Sequence, residues 1–350
     1  MDTEWICFDA VTGYDKGELN HAAQILRQGG LVAFPTETVY GLGGDGFNPQ
    51  AAKKIYEAKG RPSDNPLILH ISKREELDAI AARIPETAEK LMDAFWPGPM
   101  TLIFEKTKAV PYETTGGLDT VAVRMPSHEG ARQLIESAGV PVAAPSANTS
   151  GRPSPTTAEH VKEDLWGRID MIIDGGLVGI GVESTIIDVT EETPTILRPG
   201  HITKNMIAKV IGTVQMDAGL SGLDQSVKPK APGMKYRHYA PKASMTVIQG
   251  KKEAVIRRIE ELAAEYPKEK VGILATDETL SCYTHGQVVS AGSRNEHTIE
   301  LGLYRALREF DHMGVSVIFS ESFADDDRSE AIMNRLLKAA GQKIEYLSDK

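Results

Sequence analysis

Short apolar segments alternate with amphipathic stretches along most of this 350-residue sequence, and the alternation restricts the folds open to it. Apolar runs that are rich in β-branched residues and bounded by Gly or Pro are typical of internal strands. The first 212 residues contain such runs as LVAF, PLILHI, MTLIFEK, TVAVRM, PVAA, MIID, STIIDV and TILRP. Between them, apolar residues recur every three or four positions in AAKKIYEAK, REELDAIAARI and GARQLIESA, which predicts helices. The pattern predicts one large α/β domain with helices flanking an open, twisted sheet.

The alternation stops after residue 212 and restarts at residue 244. The intervening segment 213–243 is rich in Gly and Pro, and it carries five Lys and Arg against two Asp and Glu. Beyond it, the strand-like SMTVIQ, KVGILAT, QVVSAG and VSVIFSES alternate with three helical patterns. We therefore predict a large domain at 1–212, a linker at 213–243 and a smaller, Rossmann-like doubly wound domain at 244–350.

The composition argues against several classes of protein. A net charge of -10 and a pI of about 5.5 oppose a general nucleic-acid binder. No stretch approaches the ~18 apolar residues that would cross a bilayer, and the first residues lack the pattern of a signal peptide. The two cysteines, Cys7 and Cys282, fall in different predicted domains, which supports neither a disulfide framework nor a zinc site. We expect a cytoplasmic protein.

The segment FPTETVYGLGGDG, residues 34–46, contains a G-x-G-x-x-G pattern from Gly41 to Gly46. In a dinucleotide-binding unit these glycines follow a strand directly and open a helix at the pyrophosphate. Here six residues separate Phe34 from Gly41, and the helix start at Asn48-Pro49 comes after the glycines. The pattern therefore opposes an NAD site. We expect the glycines to shape a turn that passes close to a pocket.

Two polar loops are candidates for a ligand site. Lys59-Gly60-Arg61-Pro62-Ser63 places two cations where a predicted helix ends, and they can close on a polyphosphate or simply serve the helix C-terminus. The loop PSANTSGRPS, residues 145–154, follows the strand PVAA directly. Ligands of open α/β sheets bind beyond the carboxyl ends of strands, although surface turns have a similar composition. Because PTET follows LVAF in the same way, and Glu183 and Ser184 begin another strand, repetition favours a shared polar pocket.

Three charged or polar residues lie within or at the end of apolar strands: His70 in PLILHI, Arg124 in TVAVRM and Arg198 in ILRPG. A single histidine there is usually a satisfied core residue. An unpaired buried arginine is strongly penalised, whereas a bound carboxylate or phosphate would match its charge. We therefore favour a binding function for the two arginines.

The residue chemistry indicates a pocket that holds anions. The sequence has neither a Ser-His-Asp order nor the spacing of a metal site. Positioning and charge neutralisation carry most of the catalysis in phosphoryl and nucleotidyl transfer. The residues alone thus favour a nucleotide or polyphosphate pocket.

The motif strings PTETVYGL, KGRPSDNPLILHI, WPGPMTLIF, VAVRMP, PSANTSGRPSPT, STIIDV, ILRPG and APGMKYRHYAP, in this order, resemble the YrdC/YwlC family in its long, two-domain form. The resemblance implies an L-threonylcarbamoyladenylate synthase. Such an enzyme joins L-threonine, bicarbonate and ATP into threonylcarbamoyl-AMP, with release of pyrophosphate. A threonylcarbamoyl-transferase complex then uses the product to modify the adenosine beside the anticodon of tRNA. Direct tRNA binding is expected to be weak or absent.

The resemblance also implies roles for individual residues. Four are expected around L-threonine: Thr36, His70, Arg124 and Ser184. A larger set is expected on the ATP side, with Lys59 and Arg61 also as catalytic candidates: Lys59, Arg61, Ser63, Thr120, Ser146, Asn148, Ser154, Arg198, Tyr236, Arg237 and His238. The last three would belong to a linker that folds over the pocket as a lid. Mg²⁺ is expected to bridge the phosphates of ATP, without assigned protein ligands.

Two alternatives stay open. The same fold could serve as an RNA-binding module without adenylate-forming activity, which the acidic N-terminal domain disfavours. A domain that handles carbamoyl phosphate, as in hydrogenase-maturation proteins, would carry further acylphosphatase and zinc-finger-like segments. This sequence shows neither segment.

Overall fold

A computed structural model describes residues 2–7, 13, 15–221, 231, 238–295, 298–324 and 329–348. The chain divides into two compact units. The first comprises Met1–Ser150 and Pro155–Tyr236, and the second comprises Gly151–Ser154 and Arg237–Lys350. Each unit is described by itself below.

The described part of the first unit contains a mixed sheet of eleven strands. The strands are β1 (Glu4–Cys7), β2 (Val32–Phe34), β3 (Gly41–Asp45), β4 (Ile68–His70), β5 (Met100–Glu105), β6 (Thr120–Arg124), β7 (Val142–Ala143), β8 (Met171–Asp174), β9 (Thr185–Asp188), β10 (Thr195–Arg198) and β11 (Gln215–Met216). Their order in the sheet is β1-β8-β2-β3-β7-β4-β6-β5-β9-β10-β11. All eight strand-like runs of the sequence correspond to strands of this sheet.

The described part of this unit has seven α-helices, two of which form as AAKKIYEAK and GARQLIESA predict. They are α1 (Lys16–Arg27), α2 (Pro49–Lys59), α3 (Glu86–Phe95), α4 (Tyr112–Thr115), α5 (Glu129–Ala138), α6 (Ala158–Leu165) and α7 (Lys204–Ile211). Side-chain oxygens cap several N-termini, as Asn48 does for α2 by accepting the backbone N–H of Gln50. The apolar faces of α1 and α5 pack on β2, β7 and β8 through residues such as Leu26, Leu134 and Met171.

The prediction of a turn at the glycines was wrong, because Gly41–Asp45 forms strand β3 between β2 and β7. The glycines are needed for space rather than for a turn. A β-carbon on Gly43 would lie 2.8 Å from both the Phe34 ring and the Val142 side chain. Contacts this short do not occur between real atoms, so a larger residue would displace the phenylalanine.

The helix predicted for REELDAIAARI, residues 74–84, forms only as a short 3₁₀ segment at Arg74–Ala79. The following residues pair with the end of β5 instead. The backbone N–H of Ala82 donates to the carbonyl of Glu105, and that of Thr107 donates to the carbonyl of Ile80. Sheet hydrogen bonds thus replace the continuing helix, which the local periodicity could not reveal.

The second unit is built on a five-stranded, all-parallel sheet among its described residues. Its strands are β12 (Ser244–Gln249), β13 (Val271–Ala275), β14 (Gln287–Ser290), β15 (Val317–Glu321) and β16 (Ile344–Tyr346), in the order β14-β13-β15-β12-β16. Its helices are α8 (Lys252–Ala263), α9 (Ile299–Met313) and α10 (Ser329–Ala339).

The helices of the second unit lie on opposite faces of its sheet. Val255 and Ile259 of α8 pack on the face that carries Ile273. Phe310 of α9 lies against Gly272, whose neighbours in β13 face the other way. The doubly wound arrangement expected from the sequence is therefore confirmed. In neither unit does a helix of the described ranges have the length and apolarity needed to cross a membrane.

Candidate functional site

Three polar residues lie side by side in the first unit. His70 at the end of β4 pairs in register with Arg124 at the end of β6, and Arg124 pairs in register with Thr101 of β5. Residues paired in register on neighbouring strands point to the same face of a sheet. All three are buried, with at most 4% of their surface exposed. The sheet thus sets out a buried row of an imidazole, a guanidinium and a hydroxyl.

The loop between β2 and β3 supplies the partners of Arg124. The guanidinium Nη2 lies 2.7 Å from Oε1 of Glu37, in an ion pair with 5% and 13% of the side chains exposed. Its Nη1 donates a hydrogen bond of 2.9 Å to Oγ1 of Thr38. Burial alone would raise the pKa of Glu37, but the Arg124 guanidinium and the hydrogen bonds to the carboxylate hold that pKa below its usual range. The charge of Arg124 is therefore balanced within the protein.

Thr36 shapes this loop. Its hydroxyl lies 2.9 Å from that of Thr38 and donates to the carbonyl of Val39 at 2.7 Å. The backbone N–H groups of Thr38 and Val39 in turn donate to Oγ1 of Thr36. Thr36 is therefore connected to Arg124 through Thr38.

His70 is held neutral. Burial, and next the charge of Arg124, lower the pKa of His70 to about 3. Its Nδ1 lies 3.2 Å from the carbonyl of Ile68, so Nδ1 carries the proton in that contact. The ring of Phe34 meets the imidazole edge-on, with 6.3 Å between the ring centroids. Phe34 belongs to β2, and its ring reaches toward β4 across the glycines of β3.

Ser184, just before β9, connects the row to Arg198. Its hydroxyl lies 2.7 Å from that of Thr101. Arg198 Nη2 donates to Oγ of Ser184 at 3.1 Å, and Nε and Nη2 both donate to its carbonyl. Hydrogen bonds and register pairing thus bring Thr36, His70, Arg124 and Ser184 together with Glu37, Thr38 and Thr101, and these seven residues are here called the arginine cluster. Arg198, predicted on the ATP side, contacts this cluster.

A second group surrounds Lys59, the last residue of α2, which is 1% exposed. Its ammonium donates to the carbonyl oxygens of Ser146 and Asn148. The hydroxyl of Ser146 donates to Oδ1 of Asn148 at 2.6 Å, and the N–H of Ser150 donates to the carbonyl of Lys59. The end of α2 therefore fixes the loop 146–150, and this group is called the lysine cluster.

The two clusters are connected by the segment that follows β2. Gly41 forms an isolated bridge with Ser146, and the N–H of Ala147 donates to the carbonyl of Tyr40. The same segment, residues 35–40, carries the partners of Arg124. The loops after LVAF and PVAA thus meet, as their repetition predicted.

The remaining predicted residues lie as follows. Half-buried Arg61 donates to the carbonyls of Asn65 and Pro66 in its own loop. Ser63 is exposed, and Thr120 is half-buried at the start of β6. Buried Ser154 and His238 belong to the second unit. Tyr236 and Arg237 lie outside the described residues, as do residues 222–230 and 232–235 of the predicted lid.

Sequence reasoning missed three members of the arginine cluster: Glu37, Thr38 and Thr101. Thr101 could have been found by the rule that selected His70 and Arg124, because it is polar within an apolar strand. Glu37 and Thr38 lie in the quoted PTET motif, but no local signal shows that they reach Arg124. Within the described ranges, no group of three or more His, Cys, Asp or Glu side chains could hold a metal ion.

Comparisons with known proteins agree with this architecture. The family profile Sua5_yciO_yrdC, described as Telomere recombination, matches residues 24–200. A second profile, described as Threonylcarbamoyl-AMP synthase, C-terminal domain, matches residues 202–341. The two matches together extend over most of both units.

The chain is similar to curated proteins along nearly its whole length. It is 50% identical over 332 residues to the threonylcarbamoyl-AMP synthase of Pyrococcus abyssi, covering 94% of this chain and 96% of that protein. It is 51% identical over 331 residues to the protein of the same name from Bacillus subtilis, covering 93% and 94%. The crystal structure of P. abyssi Sua5 complexed with L-threonine superposes with a TM-score of 0.92 at 47% identity, covering 99% of this chain and 100% of that one.

Proposed function

The chain belongs to the Sua5/YciO/YrdC family in its two-domain form, and from this premise we propose that it is a threonylcarbamoyl-AMP synthase, a nucleotidyltransferase. The observation that carries the proposal is the arginine cluster, a buried guanidinium among hydroxyls and a neutral imidazole. A chain 47% identical to this one has been crystallised with L-threonine. We assign the arginine cluster to that amino acid.

Arg124 is the group that would bind the threonine carboxylate. A guanidinium presents two parallel N–H donors that match the two oxygens of a carboxylate. Glu37 and Thr38 each hold one of the two terminal nitrogens and so fix the plane of the guanidinium before substrate arrives, while each nitrogen keeps a second N–H for the carboxylate. Preorganisation of this kind lowers the cost of ordering the site on binding.

His70 contributes as a neutral hydrogen-bonding group. With a pKa of about 3 it carries no charge at neutral pH, and it is too weak a base to take the proton of an ammonium group. Its Nε2 is the acceptor of this neutral ring, because Nδ1 faces the carbonyl of Ile68. The imidazole therefore orients substrate rather than transferring protons.

The lysine cluster is assigned to ATP. Lys59 holds the loop 146–150 by hydrogen bonds to its backbone, so the hydroxyl and amide groups of Ser146 and Asn148 keep a fixed position. Half-buried Arg61 lies two residues beyond Lys59 and can present its charge to the phosphates. Magnesium would enter with ATP and neutralise part of the phosphate charge, as is general in phosphoryl transfer.

The reaction requires positioning more than acid–base catalysis. The free amine of threonine and bicarbonate give a carbamate and water. A carbamate oxygen then attacks the α-phosphorus of ATP, and the bond to the β-phosphate oxygen breaks to release pyrophosphate. Because the attacking carbamate is already an anion, no side chain has to remove a proton at that step. Cations close to the phosphates would stabilise the charge that develops.

In this proposal the product serves a downstream threonylcarbamoyl-transferase complex that acts on tRNA, and the protein works in the cytoplasm. The experiment that tests the function follows pyrophosphate release from ATP with threonine and bicarbonate present together or singly. We expect release only when both are present. Release that is independent of threonine, or none under any condition, would refute the proposal and leave the RNA-binding alternative.

The variant Arg124→Lys locates the threonine site in the same assay. Lysine keeps the positive charge but loses the planar fork, so the KM for threonine should rise about tenfold or more while that for ATP changes little. Lys90→Arg, which alters an exposed lysine of α3, is the control and should leave both constants unchanged.

A further inference from the structure

A cavity of about 830 Å³ lies within the described part of the second unit. It opens at the carboxyl ends of the parallel strands, because its lining includes the residues that directly follow β12, β13, β15 and β16. Its volume falls in the range of small-molecule sites, ~300–1,000 Å³. The proposed reaction uses none of its lining residues.

The strand order explains why a crevice forms here. β12 and β15 are hydrogen-bonded neighbours, in register from Ser244↔Val317 to Ile248↔Glu321. The chain leaves β12 toward α8 on one face of the sheet, and it leaves β15 toward α10, which packs with α9 on the other face. Neighbouring strands whose connections diverge in this way create the crevice in which doubly wound sheets bind their ligands.

One wall of the cavity is cationic. Lys251 and Lys252 follow β12 after a single glycine, line the cavity and are exposed to solvent. They stand at the start of α8, a twelve-residue helix without a side-chain cap at Lys251. The positive end of that helix adds to the charge of the two ammonium groups. This wall suits a phosphate group.

Three acids line the cavity as well; Glu300 is buried, and the carboxylates of Glu278 and Glu321 are engaged within the protein. Glu321 accepts hydrogen bonds from the hydroxyl of Tyr283 at 2.8 Å and from Arg294 at 3.4 Å. Glu278 accepts from the hydroxyl of Ser293 and from the backbone N–H groups of Arg294 and Asn295. These acids therefore hold loops in place.

An aromatic ring stands beside the cationic wall. Tyr346 lines the cavity at the end of β16 and is 70% exposed. It pairs in register with Gln249, so its strand position is only two residues from Lys251. An exposed aromatic ring offers a face on which a base can stack. The spacing of ring and ammonium groups, one strand apart, suits a ligand that carries a planar ring and a phosphate on one sugar.

We propose that this cavity binds a mononucleotide, with its phosphate at Lys251 and Lys252 and its base on Tyr346. The site would be a second nucleotide site of the chain, separate from the residues assigned to ATP. The site goes beyond the proposed function, because none of its residues takes part in the proposed reaction. Pyrophosphate release reports on the arginine and lysine clusters, whereas AMP binding to this cavity reports on the second unit.

The test measures hydrogen–deuterium exchange in the full-length protein with AMP, adenosine or inorganic phosphate as probes. AMP is expected to protect residues 249–255 and 344–348 at lower concentration than either half-molecule does. Peptides 59–66 and 146–150 report the lysine cluster in the same experiment. Absence of protection at 249–255 in millimolar AMP would overturn the proposal. Equal protection by phosphate alone would reduce the site to an anion site and overturn the nucleotide assignment.

Two exposed residues provide variants that should not affect folding. Lys252→Glu and Tyr346→Ala should each raise the AMP concentration for half-maximal protection about tenfold, equivalent to about 1.4 kcal/mol. Lys268→Glu makes the same charge change at an exposed position of this unit outside the cavity lining, and it should have no effect. If Lys252→Glu and Tyr346→Ala bind AMP as the parent protein does, the proposed contacts are wrong.

Discussion

The guanidinium of Arg124 lies 2.7 Å from the carboxylate of Glu37, and the two side chains are almost completely enclosed. A charge buried in this way is costly unless its partner is present, so each residue of the pair fixes the other. The pair gives the arginine cluster both its rigidity and its response to pH.

Replacement of Glu37 by Gln should destabilise the protein at neutral pH, by about 3 kcal/mol, because Arg124 is left buried without a counter-charge. The pKa of Glu37 is lowered in the folded state, so its contribution is complete above the unfolded value and is lost as the pH falls through the folded value. Thermal melts of parent and variant should therefore differ clearly at pH 7 and converge as the pH falls below 4.5, the ordinary value of a glutamate. Glu89→Gln, at an exposed position of α3, is the control. A constant difference across that range would contradict the assignment.

His70 should show no protonation between pH 5 and 8 in NMR spectra of the labelled ring, because burial and Arg124 lower its pKa to about 3. In the unfolded chain the His70 imidazole takes up a proton near pH 6.5, whereas in the folded chain it stays neutral at that pH. Protonation therefore favours the unfolded state, and stability is lost as the pH falls below 6.5. His70→Gln should weaken this acid dependence, and the pH profile of pyrophosphate release should keep its shape. Appearance of a His70 titration near neutrality would show that the ring is not buried as described.

Removal of the Thr101 hydroxyl should affect threonine binding through the position of the Ser184 side chain. Thr101→Val keeps the shape but takes away the 2.7 Å contact with Oγ of Ser184. Since Ser184 Oγ is still held by Arg198, we expect a stability loss of about 1 kcal/mol and a several-fold rise in the KM for threonine. Thr87→Val, at a threonine of α3 outside the arginine cluster, should change neither quantity. An unchanged KM in Thr101→Val would remove this hydroxyl from the threonine site.

Lys59→Met should abolish most pyrophosphate release, because the carbonyls of Ser146 and Asn148 would lose their shared donor. Hydrogen exchange should rise in residues 146–150 and stay unchanged in β5, which separates local loosening from unfolding. Lys53→Met, an exposed lysine of the same helix, is the matched control. If the variant keeps its turnover, the lysine cluster does not organise the ATP site.

Much of the fold followed from the sequence because local patterns reported it. Strands such as Met100–Glu105 are apolar and contain β-branched residues, and α2 is capped by Asn48 and Gly60 as capping rules predict. The short β16 and the glycine strand β3 were missed, since pairing with a distant strand, not local preference, decides their structure.

The site was predictable in its residues more than in its connections. His70 and Arg124 stood out because polar groups interrupt apolar strands. The contact of Arg124 with Glu37 spans 87 positions of sequence and depends on sheet register, which no local rule provides. The link between Ser184 and Arg198 was hidden for the same reason, as it joins a loop to the end of a neighbouring strand.

Strand β3 carries no side chains at its glycines, and this leaves space beside it. At positions where other residues would place a β-carbon, Gly41 and Gly43 leave room for the ring of Phe34, which meets the imidazole of His70 edge-on. A single methyl group at position 43 would fill the space that the Phe34 ring now occupies. An alanine at position 43 would therefore displace the ring of Phe34, and the effect would reach His70 on β4, two strands away from β3 in the sheet.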